Sequence, residues 1–109
     1  MINEITPPEA LERLKNNEAI LIDVREQEEW DDSHIKYATH MPLSRFENEA
    51  QNLVNPDNKP IIFQCLMGGR SLKAASFYQE TQNPDVEIYN MMGGIKIWTE
   101  MNLDGLVKS

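Results

Sequence analysis

The chemistry of this chain concentrates in one stretch, Phe63-Gln64-Cys65-Leu66-Met67-Gly68-Gly69-Arg70-Ser71. It begins as an apolar strand, passes through a glycine-bearing loop and enters a helix. Ligands of open parallel sheets sit at the carboxyl ends of the strands, which is where Cys65 falls. A helix starting near Arg70 aims its N-terminal amides and the positive end of its dipole back at the loop. Gly68 and Gly69 permit positive φ, so that successive N–H groups can converge on one anion. That anion could be the Cys65 thiolate itself. Adjacent positive charge and oriented amides lower a thiol pKa from about 8.5 to roughly 3.5–7.5. Arg70 adds a permanent cation with a planar fork of donors, suited to sulfonate or phosphate oxygens. A lone cysteine at a strand end is more often an inert core residue. Here a double glycine, an arginine and a helix start follow it directly, and that combination points to a nucleophile.

The elements that must position this loop are legible on either side of it. Thr6-Pro7-Pro8-Glu9 reads as a capping box with proline at the first helical position, opening a helix with Ala10, Leu11 and Leu14. Ala19 to Val24 is a near-continuous apolar run, expected of a strand covered on both faces. Ser44-Arg45-Phe46-Glu47 reads as a second capping box, starting a helix toward Leu53. Pro60 to Phe63 is a further buried strand, and a helix carrying Leu72, Ala74, Ala75, Phe77 and Tyr78 is expected from about Arg70 to Gln82. Val86 to Tyr89 is expected as a strand and Ile95 to Met101 as a last helix holding Trp98. Turn signals separate these elements, among them Pro42, Asn55-Pro56-Asp57-Asn58, Asn83-Pro84-Asp85 and Gly93-Gly94. Strands alternating with helices at this spacing predict an α/β domain with a mainly parallel sheet flanked by helices.

With 109 residues the chain is expected to form a single domain over 1–109, and no repeat or linker divides it. Its net charge of -8 disfavours binding to nucleic acid and to anionic membranes. The apolar run Ala19-Ile20-Leu21-Ile22 is too short to span a bilayer, and Met1-Ile2-Asn3-Glu4 does not read as the start of a signal peptide. A single cysteine excludes an intramolecular disulfide, CxxC redox chemistry and a cysteine-cluster metal site, and a free thiol suits a reducing cytoplasm.

Three motifs together resemble the rhodanese-like sulfurtransferases. Cys65-Leu66-Met67-Gly68-Gly69-Arg70 is similar to that family's active-site loop, Cys-x-x-Gly-x-Arg. Leu21-Ile22-Asp23-Val24-Arg25-Glu26, with Glu29-Trp30, His34-Ile35, Ala38 and Met41-Pro42-Leu43, resembles its N-terminal signature. Gly93-Gly94-Ile95 with Trp98 resembles its C-terminal one. The resemblance implies a three-layer domain and a covalent mechanism. In it the Cys65 thiolate takes sulfane sulfur from thiosulfate or a persulfide. A thiophilic acceptor then removes it: cyanide in an assay, a thiol or a partner protein in cells. The loop, Leu66, Met67, Gly68, Gly69, Arg70 and Ser71, would bind the sulfur donor, and neither a metal nor an organic cofactor is implied.

The chain also departs from that pattern. Thiosulfate-active members often carry basic or hydroxyl residues where this loop has Leu66 and Met67, which either pack beneath the loop or meet an apolar partner. Ser33 and Tyr37 stand where the family usually has glycine. Related phosphatases share the fold with a longer loop, Cys-x-x-x-x-x-Arg; only Leu66 to Gly69 separate Cys65 from Arg70 here, which argues against a phosphate cradle. A non-catalytic binding module is the other alternative. Asp23 and Arg25 read as a structural ion pair, His34 and His40 as isolated histidines rather than ligands, and Glu26, Glu28, Glu29, Asp31 and Asp32 as a solvated helix face. Trp98 and Met101 read as core.

Overall fold

The computed structural model describes residues 2–82 and 85–109. Met1 and the Asn83-Pro84 part of one turn signal lie outside the described residues. A short strand, β1 (Asn3–Ile5), precedes the first helix, α1 (Pro7–Lys15). The Thr6 capping box forms as expected: Thr6 Oγ1 accepts the Glu9 N–H at 3.3 Å, and Glu9 Oε1 accepts the Thr6 N–H at 3.1 Å. Then follow β2 (Ile20–Asp23), α2 (Gln27–Asp32), β3 (Ser33–Ile35), β4 (Ala38–His40) and α3 (Leu43–Glu49). The second half of the chain supplies β5 (Ile61–Gln64), α4 (Gly69–Thr81), β6 (Ile88–Met91), α5 (Gly94–Glu100) and β7 (Leu106–Lys108).

The main sheet has the order β1-β6-β5-β2-β4, and all its pairings are parallel. β3 and β7 pair antiparallel in a separate ribbon. The central strands are apolar on both faces because both faces are covered. Ile22, Ile61, Phe63 and Ile88 join one core with Phe46 of α3 and Ala74, Ala75 and Tyr78 of α4. Leu21, Ile62 and Met91 join the other with Ala10 and Leu14 of α1 and Ile95 and Trp98 of α5. The three-layer architecture follows from that alternation.

Topology creates the crevice. β2 leads outward to β4 on one side, while β5 leads outward to β6 on the other. The loops leaving the carboxyl ends of adjacent β2 and β5 therefore diverge, the switch-point geometry of open α/β sheets.

Several expectations are corrected in detail. Ser44 does not cap α3: Pro42 occupies the N-cap, and the Ser44 hydroxyl instead donates to Glu26 Oε1 at 2.6 Å. The helix stops at Glu49 and tightens into a 3-10 turn over Ala50–Asn52 before Leu53. β6 starts at Ile88 rather than Val86. Trp98 is fully buried, but Met101 is half-exposed at the end of α5 and does not belong to the core. Ser33 is extended, and neither it nor Tyr37 needs the positive φ that a glycine would supply. No helix among the described residues is long and apolar enough to cross a membrane.

Candidate active site

Cys65 leaves the carboxyl end of β5 and is almost wholly buried, at 2% exposure. Its sulfur lies over the start of α4: the Gly68 N–H donates to Sγ at 3.0 Å, and the Ser71 hydroxyl stands 3.4 Å from it. Burial alone pushes this thiol up. The Ser71 hydroxyl and the backbone N–H groups of Ser71, Gly68 and Met67 outweigh burial, and the thiol lies below its ordinary value.

Only one of the two loop glycines bends the backbone as expected. Gly68 has φ +117° and is the left-handed residue that turns the chain into α4. Gly69 has no such φ, and a Cβ there would meet open space, so its contribution is that of the first helical residue. The glycine pair near the C-terminus grips the loop from the other side. The Ile95 N–H donates to the Cys65 carbonyl at 2.9 Å and the Lys96 N–H to the Leu66 carbonyl at 3.1 Å. Gly94 makes that approach possible: a Cβ there would lie 2.4 Å from the Cys65 carbonyl oxygen. The C-terminal motif therefore holds the carbonyls of the cysteine loop while the amides of that loop turn toward sulfur.

Arg70 is not aimed at an empty oxyanion pocket. Its Nη1 and Nη2 donate to Glu29 Oε1 and Oε2 at 2.6 and 2.9 Å, a bidentate pair joining α4 to α2. The Arg70 hydrogen bonds hold the Glu29 carboxyl at about 2, despite partial burial that opposes them. Reading the acidic run as a solvated face missed this residue. Glu29 shares its charge with many neighbours in sequence, and only the fold singles it out. The signal available in the sequence was its place in the N-terminal motif, one residue before Trp30.

That motif builds the opposite wall. Arg25 Nη2 donates to Asp23 Oδ2 at 2.9 Å and to the Ser33 carbonyl at 2.7 Å, and Nη1 reaches the Glu29 carbonyl at 3.4 Å. The buried pair thus pins the middle and the C-terminal end of α2 and, through it, Glu29. Trp30 stacks on both His34 and His40, with ring centroids 3.8 and 4.7 Å away. His34 Nδ1 donates to the Trp30 carbonyl and His40 Nε2 to the Arg25 carbonyl. Both histidines are thereby structural.

Leu66 and Met67 do not pack beneath the loop. They are 42% and 65% exposed, and Leu66 borders a shallow pocket of about 380 Å³ with Arg25, Glu29, Lys96 and Glu100. Among the described residues, no group of three His, Cys, Asp or Glu side chains is arranged to hold a metal ion.

Residues 6–101 match the family model of the rhodanese-like domain. The chain belongs to the rhodanese-like family. A thiosulfate sulfurtransferase GlpE of Actinobacillus succinogenes is 32% identical over 100 residues, covering 92% of this chain and 86% of that protein. The GlpE of Coxiella burnetii is 26% identical over 98 residues, covering 90% and 88%. A solved rhodanese-related protein from Thermoplasma volcanium superposes with a TM-score of 0.82 at 25% identity, covering 96% of this chain and 97% of that one. Proteins named sulfurtransferases are thus among this rhodanese-like chain's relatives, and its fold is that of the rhodanese-related protein.

Proposed function

We propose that this rhodanese-like domain is a sulfurtransferase whose Cys65 thiolate carries sulfane sulfur as a persulfide. The observation that carries the reading is a buried sulfur that accepts the Gly68 N–H, has the Ser71 hydroxyl 3.4 Å away, and belongs to a thiol depressed despite burial. In the loading step the thiolate attacks the outer sulfur of thiosulfate, a new S–S bond forms, the old one breaks, and sulfite leaves with the bonding pair. In the unloading step an acceptor such as cyanide attacks the outer sulfur, thiocyanate leaves, and the electron pair of the S–S bond returns to Cys65. The same amides serve both charged states without rearrangement, which is what preorganised donors contribute.

Arg70 assists an anionic donor from the rim of this loop, in competition with Glu29 for its guanidinium. Leu66, Met67, Gly68, Gly69 and Ser71 complete the donor site. The exposed Leu66 and Met67 favour a low-charge persulfide, or a protein carrying one, over a small dianion. They also keep alive a second reading, a protein-binding module with little turnover. A chain with a single thiol that must stay reduced between cycles suits a reducing compartment such as the cytoplasm.

Intact mass spectrometry after incubation with thiosulfate, polysulfide or glutathione persulfide tests the reading. The expected result is a gain of one sulfur atom that is absent in Cys65→Ala. No gain with any donor would leave the binding module.

A further inference from the structure

Asn90, on β6 beside the cysteine loop, is buried and joins two of that loop's polar groups. Its Nδ2 donates to the Gly68 carbonyl at 3.1 Å, and its Oδ1 accepts from the Ser71 hydroxyl at 2.5 Å. The Gly68 carbonyl can only accept, so it fixes which end of the amide faces it and leaves Oδ1 for Ser71. The Ser71 hydroxyl has one proton and three acceptors within reach. Asn90 Oδ1 lies at 2.5 Å, the Gly68 carbonyl at 3.1 Å and Cys65 Sγ at 3.4 Å. By distance Asn90 Oδ1 is the favoured acceptor and sulfur is the furthest claimant. Donation to sulfur requires the hydroxyl to turn, which leaves Oδ1 facing the Ser71 oxygen with no hydrogen between them.

We infer that Asn90 is a positioning residue that competes with Cys65 for the Ser71 hydroxyl proton, so that this hydrogen bond follows the charge on Sγ. When Sγ is neutral, the hydroxyl donates to Asn90. When Sγ is a thiolate, the charge-assisted bond draws the hydroxyl to sulfur. The competition stands on geometry alone; its place in a catalytic cycle rests on the persulfide reading above. In that cycle, loading moves the negative charge from Sγ to the outer sulfur, and the hydroxyl returns to Asn90. Unloading brings the charge back to Sγ, and the hydroxyl swings over to receive it. No proton leaves Ser71 at either step. Asn90 thereby favours the loaded state relative to the bare thiolate.

The test is a pH titration of the full chain followed by ultraviolet thiolate absorbance, with Cys65→Ser as the blank. Asn90→Leu keeps the branched heavy-atom shape and removes the acceptor, so the thiolate midpoint should fall by about 0.5–1 pH unit as the hydroxyl is released to sulfur. In a Ser71→Ala background the same Asn90→Leu change should produce no shift, because no hydroxyl remains to compete for. A residue that merely packs would loosen the cradle and raise the midpoint, with or without Ser71. A midpoint that stays or rises in Asn90→Leu, or that falls equally without Ser71, overturns the inference. Asn90→Ala carries the same expectation if leucine disturbs β6, with circular dichroism identifying the folded variant. The titration uses no sulfur donor, so a chain that never takes up sulfur would sink the persulfide reading and leave this one intact.

Discussion

The loops leaving β2 and β5 start side by side, with Asp23 and Gln64 in register, yet they treat their polar groups in opposite ways. After β2, charge meets charge. Asp23 is enclosed by the Arg25 guanidinium and the Arg25 N–H, and Arg25 also donates to the carbonyls of Ser33 and Glu29. After β5, the Gly68 N–H donates to a sulfur that holds no fixed charge of its own, and the Ser71 hydroxyl lies within reach of it. A closed network fixes geometry, whereas an unmatched cradle can stabilise charge that arises during a reaction. Under the proposed function, the difference gives the first loop rigidity and the second the chemistry, with the Arg70–Glu29 pair as the strut between them.

The largest expected effect breaks the second loop alone. Cys65→Ser should lower thiosulfate:cyanide turnover by about 10³-fold or more while the thermal unfolding midpoint stays near that of the parent. Undiminished turnover in the serine variant would move the chemistry elsewhere.

Breaking the first loop should do the reverse. Arg25→Met leaves Asp23 buried without its cation, and removing one partner of a buried pair costs about 3–5 kcal/mol. Urea unfolding should show that loss directly. A variant as stable as the parent would mean that the pair is not what pins α2.

The strut should respond to acid by a smaller amount. The Glu29 carboxyl is held at about 2 against an ordinary 4.5, a depressed value, so its stabilising contribution is complete above pH 4.5 and is lost as pH falls toward 2. The pair is about one-third exposed, at 33% and 32%, which limits the contribution to about 1 kcal/mol. Glu29→Gln should therefore flatten the acid limb of stability against pH. It should also release Arg70 and raise kcat/KM for thiosulfate severalfold. An unchanged acid limb would show that the pair does not brace the two loops, and a kcat/KM that falls with Arg70 freed would detach Arg70 from donor binding.

The two loops were not equally legible. The β5 loop could be read because its parts are contiguous: a strand end, a cysteine, a glycine that must turn and a helix start. The layers were legible for a related reason, since strands apolar on both faces demand helices on both sides. The β2 loop hides its logic, because Glu29 acquires its partner 41 residues away and looks locally like its acidic neighbours. Asn90 was missed for the same cause: it meets Ser71 across 19 residues, and an asparagine near a strand end reads as a turn residue. The short strands β1, β3, β4 and β7 left no periodic signal because three residues contain barely one alternation. The Ser44 box failed because the helix already starts at Leu43, which places Ser44 inside its first turn, where its hydroxyl donates to Glu26.

The smallest effect concerns what the β5 loop presents to solvent. The loop after β2 is charged inside and out, whereas Leu66 and Met67 offer an apolar rim beside the cradle. A small dianion gains from the loop amides but approaches a chain of net charge -8. Such repulsion is screened over about 8–10 Å at physiological salt, so it slows encounter chiefly at low ionic strength. Thiosulfate should therefore saturate weakly and improve as salt is added, while glutathione persulfide should be the better donor. Leu66→Arg would give the rim the charged character of its neighbour. It should raise kcat/KM for thiosulfate a few-fold at low salt, by an exposed-charge contribution of under about 1 kcal/mol, and leave the persulfide unchanged. The measurement is kcat/KM for both donors across a salt series in parent and variant. Thiosulfate already preferred in the parent, with no gain in Leu66→Arg, would show that the apolar rim does not set donor choice.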